Sequence, residues 1–246
     1  MDFFEIYDAL IAGMGEGAEN ARIERAGSYT SWAMAETADT LGIAMAGDQA
    51  AVAPMFDDGV AGLTLKEAAE AVKSWNLREA GVGLAAINAW YNTAANIAAL
   101  NAAEPYENHA MRGLSFDGAV VGIVGHMHLT PEVHRNAKRV YTLERAPKAG
   151  DYPDSACELL LPQCDYVFIT GSALVNKTLP RLVELSRNAY IVLLGPSVPL
   201  CPALLAHGID RLSGMAVCDN AAMRRHVTDG IHGNPYNMGA SFLLTK

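Results

Sequence analysis

Two histidines spaced two residues apart, His126 and His128, follow a glycine turn, Gly122-Ile-Val-Gly125. In an extended segment that spacing turns both rings to one side, an arrangement that suits a transition metal ion, since neutral imidazole is a common ligand. A third ligand is not legible: His134 falls where helical geometry would turn it away. Glu144 lies 19 residues beyond Gly125 and, with His126, makes a candidate pair for proton transfer. Further along, Tyr166-Val-Phe-Ile ends in Thr170-Gly171, and Asn176-Lys-Thr178 reads as the opening of the next helix. An Asn side chain, a Thr hydroxyl and free backbone N–H groups would then meet at the carboxyl edge of a parallel sheet, where open α/β folds bind small ligands. After a later apolar run comes Gly195-Pro196-Ser197, where the glycine permits close backbone approach and the prolines stiffen the loop. Cys201 follows in that loop, a nucleophile only if its surroundings lower its pKa.

These residues need elements to hold them. Before residue 113 the chain reads as a helix over Asp2–Met14, then short strands at Ala21–Ala26, Tyr29–Met34 and Gly42–Met45. Thr64 with Glu67 forms a capping box for a helix reaching about Trp75. An alanine-rich helix is expected from Gly81 to about Leu100, with Asn88 in its first turns. There Asn88 either bonds the preceding strands or faces a ligand, with Gly81 and Gly83 leaving amides open to an anion. Asn101 to Gly113 reads as a connection. From Phe116 onward strands alternate with helical periods: Ala119–Val124, Arg139–Leu143, Tyr166–Ile169, Tyr190–Leu194 and Arg211–Val217. That alternation predicts right-handed crossovers and a doubly wound parallel sheet.

Gly125 and Glu144 imitate a dinucleotide fold, in which glycines admit pyrophosphate and an acidic residue takes the ribose hydroxyls. The three-glycine spacing is incomplete, which favours a plain tight strand-to-helix turn over a bound dinucleotide, and Glu144 could equally form an ion pair with Arg145.

The 246 residues carry a net charge of −9 and only 18 Lys and Arg, which argues against a nucleic-acid or anionic-membrane partner. The acidic N-terminus lacks the basic and apolar regions of an export signal, and no apolar run approaches the roughly 20 residues of a membrane span. A cytoplasmic protein with reduced cysteines is the expectation, and apolar helices or a strand edge could support a homodimer.

Taken in order, Gly122-Ile-Val-Gly125, Leu143-Glu144-Arg145, Leu161-Pro-Gln-Cys-Asp165, Ile169-Thr170-Gly171, Val175-Asn176-Lys-Thr178-Leu and Leu194-Gly195-Pro196-Ser197 resemble a bacterial and archaeal family described as "putative heavy-metal chelation". The resemblance implies a Rossmann-like α/β domain over residues 114–246. Tyr29-Thr-Ser-Trp-Ala-Met, Gly42-Ile-Ala and Gly83-Leu-Ala-Ala-Ile-Asn88-Ala resemble its usual partner, an enolase N-terminal-like α+β domain over residues 1–113. It further implies a ligand site in a cleft between the two.

The resulting expectation is a protein that binds a small anionic or metal-chelating ligand through Asn88, Gly125, Glu144, Thr170, Gly171, Asn176, Thr178, Gly195, Pro196 and Ser197. His126 and Glu144 are its acid–base candidates, and His126 and His128 its candidate ligands for a transition metal ion. The alternatives are an enzyme of transferase or lyase type in metallophore or metal-cofactor metabolism, and a metal-delivery or sensor protein.

Overall fold

The computed structural model describes residues 3–48, 52–100, 109–127, 129–231 and 233–246. His128, His232 and residues 101–108 of the expected connection lie outside them.

The first half begins with α1 (Glu5–Ala12) and α2 (Glu16–Asn20), followed by an antiparallel meander of β1 (Arg25–Ser28), β2 (Trp32–Glu36) and β3 (Leu41–Met45). The first two strands start three or four residues later than expected. Ala21–Ile23 instead run beside Leu63–Leu65, and Tyr29-Thr-Ser forms the hairpin turn, closed by Tyr29 N–H on Trp32 O. The Thr64 capping box is present and starts α3 (Leu65–Ala69), which tightens into a 3₁₀ turn over Glu70–Lys73.

Then comes α4 (Leu77–Tyr91), followed by α5 (Ala94–Ala99). The Asn76 side chain accepts from Glu79 N and starts α4 four residues before the expected glycines. Gly81 and Gly83 are therefore inside the helix, their amides spent in it, and Asn88 is near its end. The small residues of α4 serve close packing. A Cβ on Gly83 would lie 2.1 Å from Val72 N, and one on Gly42 of β3 would lie 2.1 Å from Ala85 O. α4 thus lies flush between the meander and the α3 segment.

The second half is a seven-stranded, mostly parallel sheet. Its elements in order are β4 (Val120–Val124), α6 (Pro131–Asn136), β5 (Arg139–Glu144), β6 (Tyr152–Pro153), α7 (Cys157–Leu160), β7 (Tyr166–Thr170), α8 (Ser172–Val175), α9 (Leu179–Leu185), β8 (Tyr190–Leu194), α10 (Pro202–Ala206), β9 (Arg211–Val217), α11 (Asn220–Thr228) and β10 (Gly239–Thr245). Among the described residues the strands lie in the order β10-β9-β8-β7-β4-β5-β6, and only β10 is antiparallel. Side chains alternate across the sheet as the pleat requires. Val121, Ile123, Phe168 and Val192 face Val133 of α6 and the segment around Phe116, while Val167, Ile169, Ile191 and Leu193 face α7–α10 and the first half. The fold is α/β, with a small antiparallel sheet beside the large parallel one. β6 and β10 were not legible, the first being two residues long and the second lying in the tail.

Polar contacts tie the halves. Buried Asn92, the residue that ends α4, donates to Val198 O and Met215 O and accepts from Leu200 N. Tyr7 Oη donates to Leu174 O at 3.0 Å. Buried Glu36 on β2 receives both Nε and a terminal nitrogen of Arg224 on α11, with Arg25 at 3.4 Å.

Candidate functional site

A cavity of about 610 Å³ opens at the carboxyl ends of β4, β5 and β7. An open α/β sheet places ligands there because β4 connects toward β5 on one side while β7 takes the other, so two loops diverge and leave a crevice. Val124, Gly125 and His126 come from the β4 end, Leu143, Glu144 and Arg145 from the β5 end, and Thr170, Ser172 and Ala173 from the β7 end. Asn176, Lys177, Thr178 and α9 close one wall, and Asp154, Ser155, Cys157 and Glu158 the other. Among the described residues, Met45 is the single lining residue from the first half, so the described cavity wall belongs mainly to the parallel-sheet half rather than to a cleft shared equally.

Gly125 has φ +99°, and a Cβ there would press on Thr170, so the turn after β4 can lie against the end of β7 only with glycine. Glu144 is held by that turn: Oε1 accepts from His126 N and Oε2 from Arg145 N at 3.0 Å. The carboxylate bonds to backbone amides, and an Arg145 ion pair is not what fixes it. The ring of His126 lies between two carboxylates, with Nε2 2.7 Å from Asp151 Oδ2 and Nδ1 3.3 Å from Glu144 Oε1. Asp151 accepts from Lys148 N, which with the His126 contact holds its carboxyl below the usual aspartate range. His126 also faces a second cavity of about 430 Å³ with His134 and Asp151.

Asn-Lys-Thr links α8 to α9, with Asn176 ending the first and Thr178 at the N-cap of the second, so it leads into the next helix as expected. Asn176 Oδ1 accepts from Thr178 N at 3.1 Å and Thr178 Oγ1 at 2.6 Å, a self-closed turn that leaves the Asn176 amide hydrogens for other partners. Between them Lys177 has φ +66°, a left-handed conformation rare for a residue with a Cβ. It is 4% exposed, its Nζ donates to Val175 O and lies 5.8 Å from the Tyr7 ring centroid, and burial pushes its ammonium down to about 8. Neither Val175 nor Tyr7 lines the cavity, so the ammonium is directed at the packing between the halves.

The remaining expected residues lie elsewhere. Asn88, 2% exposed, donates to Ile43 O at 2.8 Å and stands outside the cavity wall, which is the strand-bonding reading of that residue. Gly171 is a packing position, since a Cβ there would meet the backbone of Ser197 and Val198 at 3.0 Å. Ser197 Oγ accepts from Met45 N at 2.8 Å, docking the end of β3 on the loop after β8. Gly195, at φ +120°, and Pro196 shape that same loop and do not line the cavity. Cys201 is buried, and burial raises its thiol, so it is not the activated nucleophile that its place in the loop suggested. Cys157 does line the cavity, with its thiol raised to about 11 by burial. Asp151 and Lys177 were missed. The first sits seven residues past Glu144 in a loop, and nothing in the spacing marks the second as buried.

Among the described residues, no group of three or more His, Cys, Asp or Glu side chains is placed to hold a metal ion. Both ring nitrogens of His126 are directed at carboxylates, and the thiols of Cys157, Cys164 and Cys201 are raised toward the protonated form. The described residues therefore do not fit a protein-held heavy-metal centre. No described helix is long and apolar enough to cross a membrane.

Strand order, the glycine turn and the cavity define an α/β protein of Rossmann-like topology with a cavity of about 610 Å³ at its switch point. A model of the DUF364 family, described as "putative heavy-metal chelation", matches residues 114–242, and a DUF4213 model of the same description matches residues 9–91; the chain belongs to this family. A DUF364 protein of unknown function from Desulfitobacterium hafniense has a crystal structure similar to this chain over 99% of its length and 98% of that chain, with 38% identity and a TM-score of 0.86. One from Pyrococcus horikoshii shares the fold at 23% identity and a TM-score of 0.78 over the full length of both. An uncharacterized protein of Methanocaldococcus jannaschii is 29% identical over 165 residues, which span 63% of this chain and 61% of that relative.

Proposed function

We propose that the protein binds a small anionic or metal-chelating organic compound in the cavity at the carboxyl edge of its parallel sheet. The observation that carries this reading is the cavity itself, about 610 Å³, within the range of small-molecule sites. Leu143, Leu182 and Leu185 line it beside the hydroxyl-bearing Thr170, Ser172 and Thr178 and the cationic Arg145. A metal would then enter already held by the organic ligand, in keeping with a donor set that offers no protein-held centre among the described residues. Native mass spectrometry of protein purified without chelators tests this. The expected result is an excess organic mass, with or without a metal, that disappears in Leu185→Trp, where the indole fills cavity volume without removing a polar group. Full occupancy in that variant would refute the location, and absence of any excess mass or of any melting shift with citrate, phosphate and metal citrate would refute the function.

A second reading, an enzyme acting on the same ligand, rests on the His126 ring held between Asp151 and Glu144 at the cavity rim. A positioned imidazole with two carboxylate partners is the constellation that proton transfer requires. Conversion of the released compound by wild type, abolished in His126→Ala while binding persists, supports catalysis. Binding without conversion in wild type supports sequestration.

A further inference from the structure

The cavity has a polarity that points to one ligand class. Numbered along the parallel sheet, β4, β5 and β6 are its first, second and third strands and stand in the spatial order third, second, first, with β7 on the far side of β4. β6 is only two residues long, yet it completes the order in which a nucleoside lies across the ends of the second and third strands. Glu144 is the last residue of β5, and Arg145 after β5 and Ser155 after β6 flank it on the cavity wall.

The Glu144 carboxylate is presented in a fixed orientation. Each of its oxygens accepts one backbone N–H, from His126 and from Arg145. A carboxylate oxygen has two acceptor sites; Oε2 retains one, and Oε1, which also has His126 Nδ1 at 3.3 Å without hydrogen-bond geometry, keeps its second, so one planar group can meet two adjacent hydroxyls.

Among the described residues, the segment after the glycine turn lacks what a dinucleotide would need. The helix after the glycine turn, α6, is six residues long, starts at Pro131, which has no N–H to give, and carries Glu132 in its first turn. A pyrophosphate requires free amides and a positive helix end at that place. We propose that the cavity takes a ribonucleoside, without a pyrophosphate, whose ribose cis-diol is held by Glu144 and whose base lies toward Arg145 and Ser155. A short anionic 5′ substituent would extend toward Thr170 and the Asn176–Thr178 turn, which makes the whole ligand a small anionic compound of the kind proposed above. This rests on the reading of the cavity as the ligand site and names the class of compound it takes.

The test uses wild-type protein, so that it does not depend on a variant's folding. Binding of the four common ribonucleosides and of their 2′,3′-dideoxy counterparts is measured by saturation-transfer NMR and calorimetry. Loss of two charge-assisted hydrogen bonds should weaken the dideoxy form at least about tenfold for every ribonucleoside that binds. Glu144→Gln, checked for folding by its melting curve, should erase that difference, because one acceptor oxygen becomes a donor. Equal affinity of the ribo and dideoxy forms, or no binding of any ribonucleoside up to about 10 mM, overturns the proposal. A non-nucleoside passenger found by native mass spectrometry would overturn it while leaving the cavity's role as a ligand site intact.

Discussion

Lys177 offers a quantitative test of how the two halves are packed. Among the described residues its ammonium has no carboxylate partner and its hydrogen bond goes to Val175 O, and burial lowers its pKa from 10.5 to about 8. An unfolded chain therefore binds a proton here between about pH 8 and 10.5 that the folded chain has released, and stability rises with pH through that window. Below pH 8 both states are protonated and the full penalty applies. The 2.5-unit difference between 10.5 and about 8 is worth about 3 kcal/mol at pH 7, shrinking to about 1 kcal/mol at pH 10. Lys177→Met removes the charge and keeps the length of the chain, at the loss of one hydrogen bond worth about 1 kcal/mol at any pH. The variant should be more stable than wild type by about 2 kcal/mol at pH 7, and the advantage should vanish by pH 10. Urea denaturation of both proteins at several pH values between 7 and 10 measures this, and other titrating groups cancel in the difference. Parallel stability curves across that range would refute the claim that Lys177 is buried as a costly charge.

Two further substitutions test the packing. Asn92→Ala leaves Leu200 N, Val198 O and Met215 O without their partner in a buried place, and should cost about 3 kcal/mol in chemical denaturation; a cost below about 1 kcal/mol would mean that water replaces the amide. Gly83→Ala should raise helix propensity by about 1 kcal/mol on an exposed helix. Here the new Cβ would lie 2.1 Å from Val72 N, so a net loss of about 3 kcal/mol is expected, and a raised melting temperature would contradict the close approach of α4 and α3.

The sheet-forming segments were legible because their physics is local. Tyr190–Leu194 and Arg211–Val217 form the strands expected, since runs of β-branched and apolar residues bounded by turn residues have few alternatives. The Thr64 capping box was equally local, two side chains three residues apart answering each other's backbone. Gly125, His126, Glu144, Thr170, Asn176 and Thr178 are legible from their places at strand ends and before α9, and all line the same cavity.

What the sequence could not decide were the partners of residues distant along the chain. Gly171 and Ser197 look like ligand-binding motifs but serve packing, because the backbone after β8 rests on the first and the end of β3 bonds to the second. Asn88 and Asn92 are four residues apart on one helix, yet one braces β3 and the other clasps the loop beyond β8. Lys177 reads as an ordinary surface lysine, and only the approach of α1 beside α8 removes it from water. Local spacing thus determined the elements and the rim of the cavity. The tertiary structure decided which polar groups face that cavity and which are spent joining the halves, because a side chain's hydrogen-bond partners and hydration depend on contacts across a hundred residues or more that no spacing encodes.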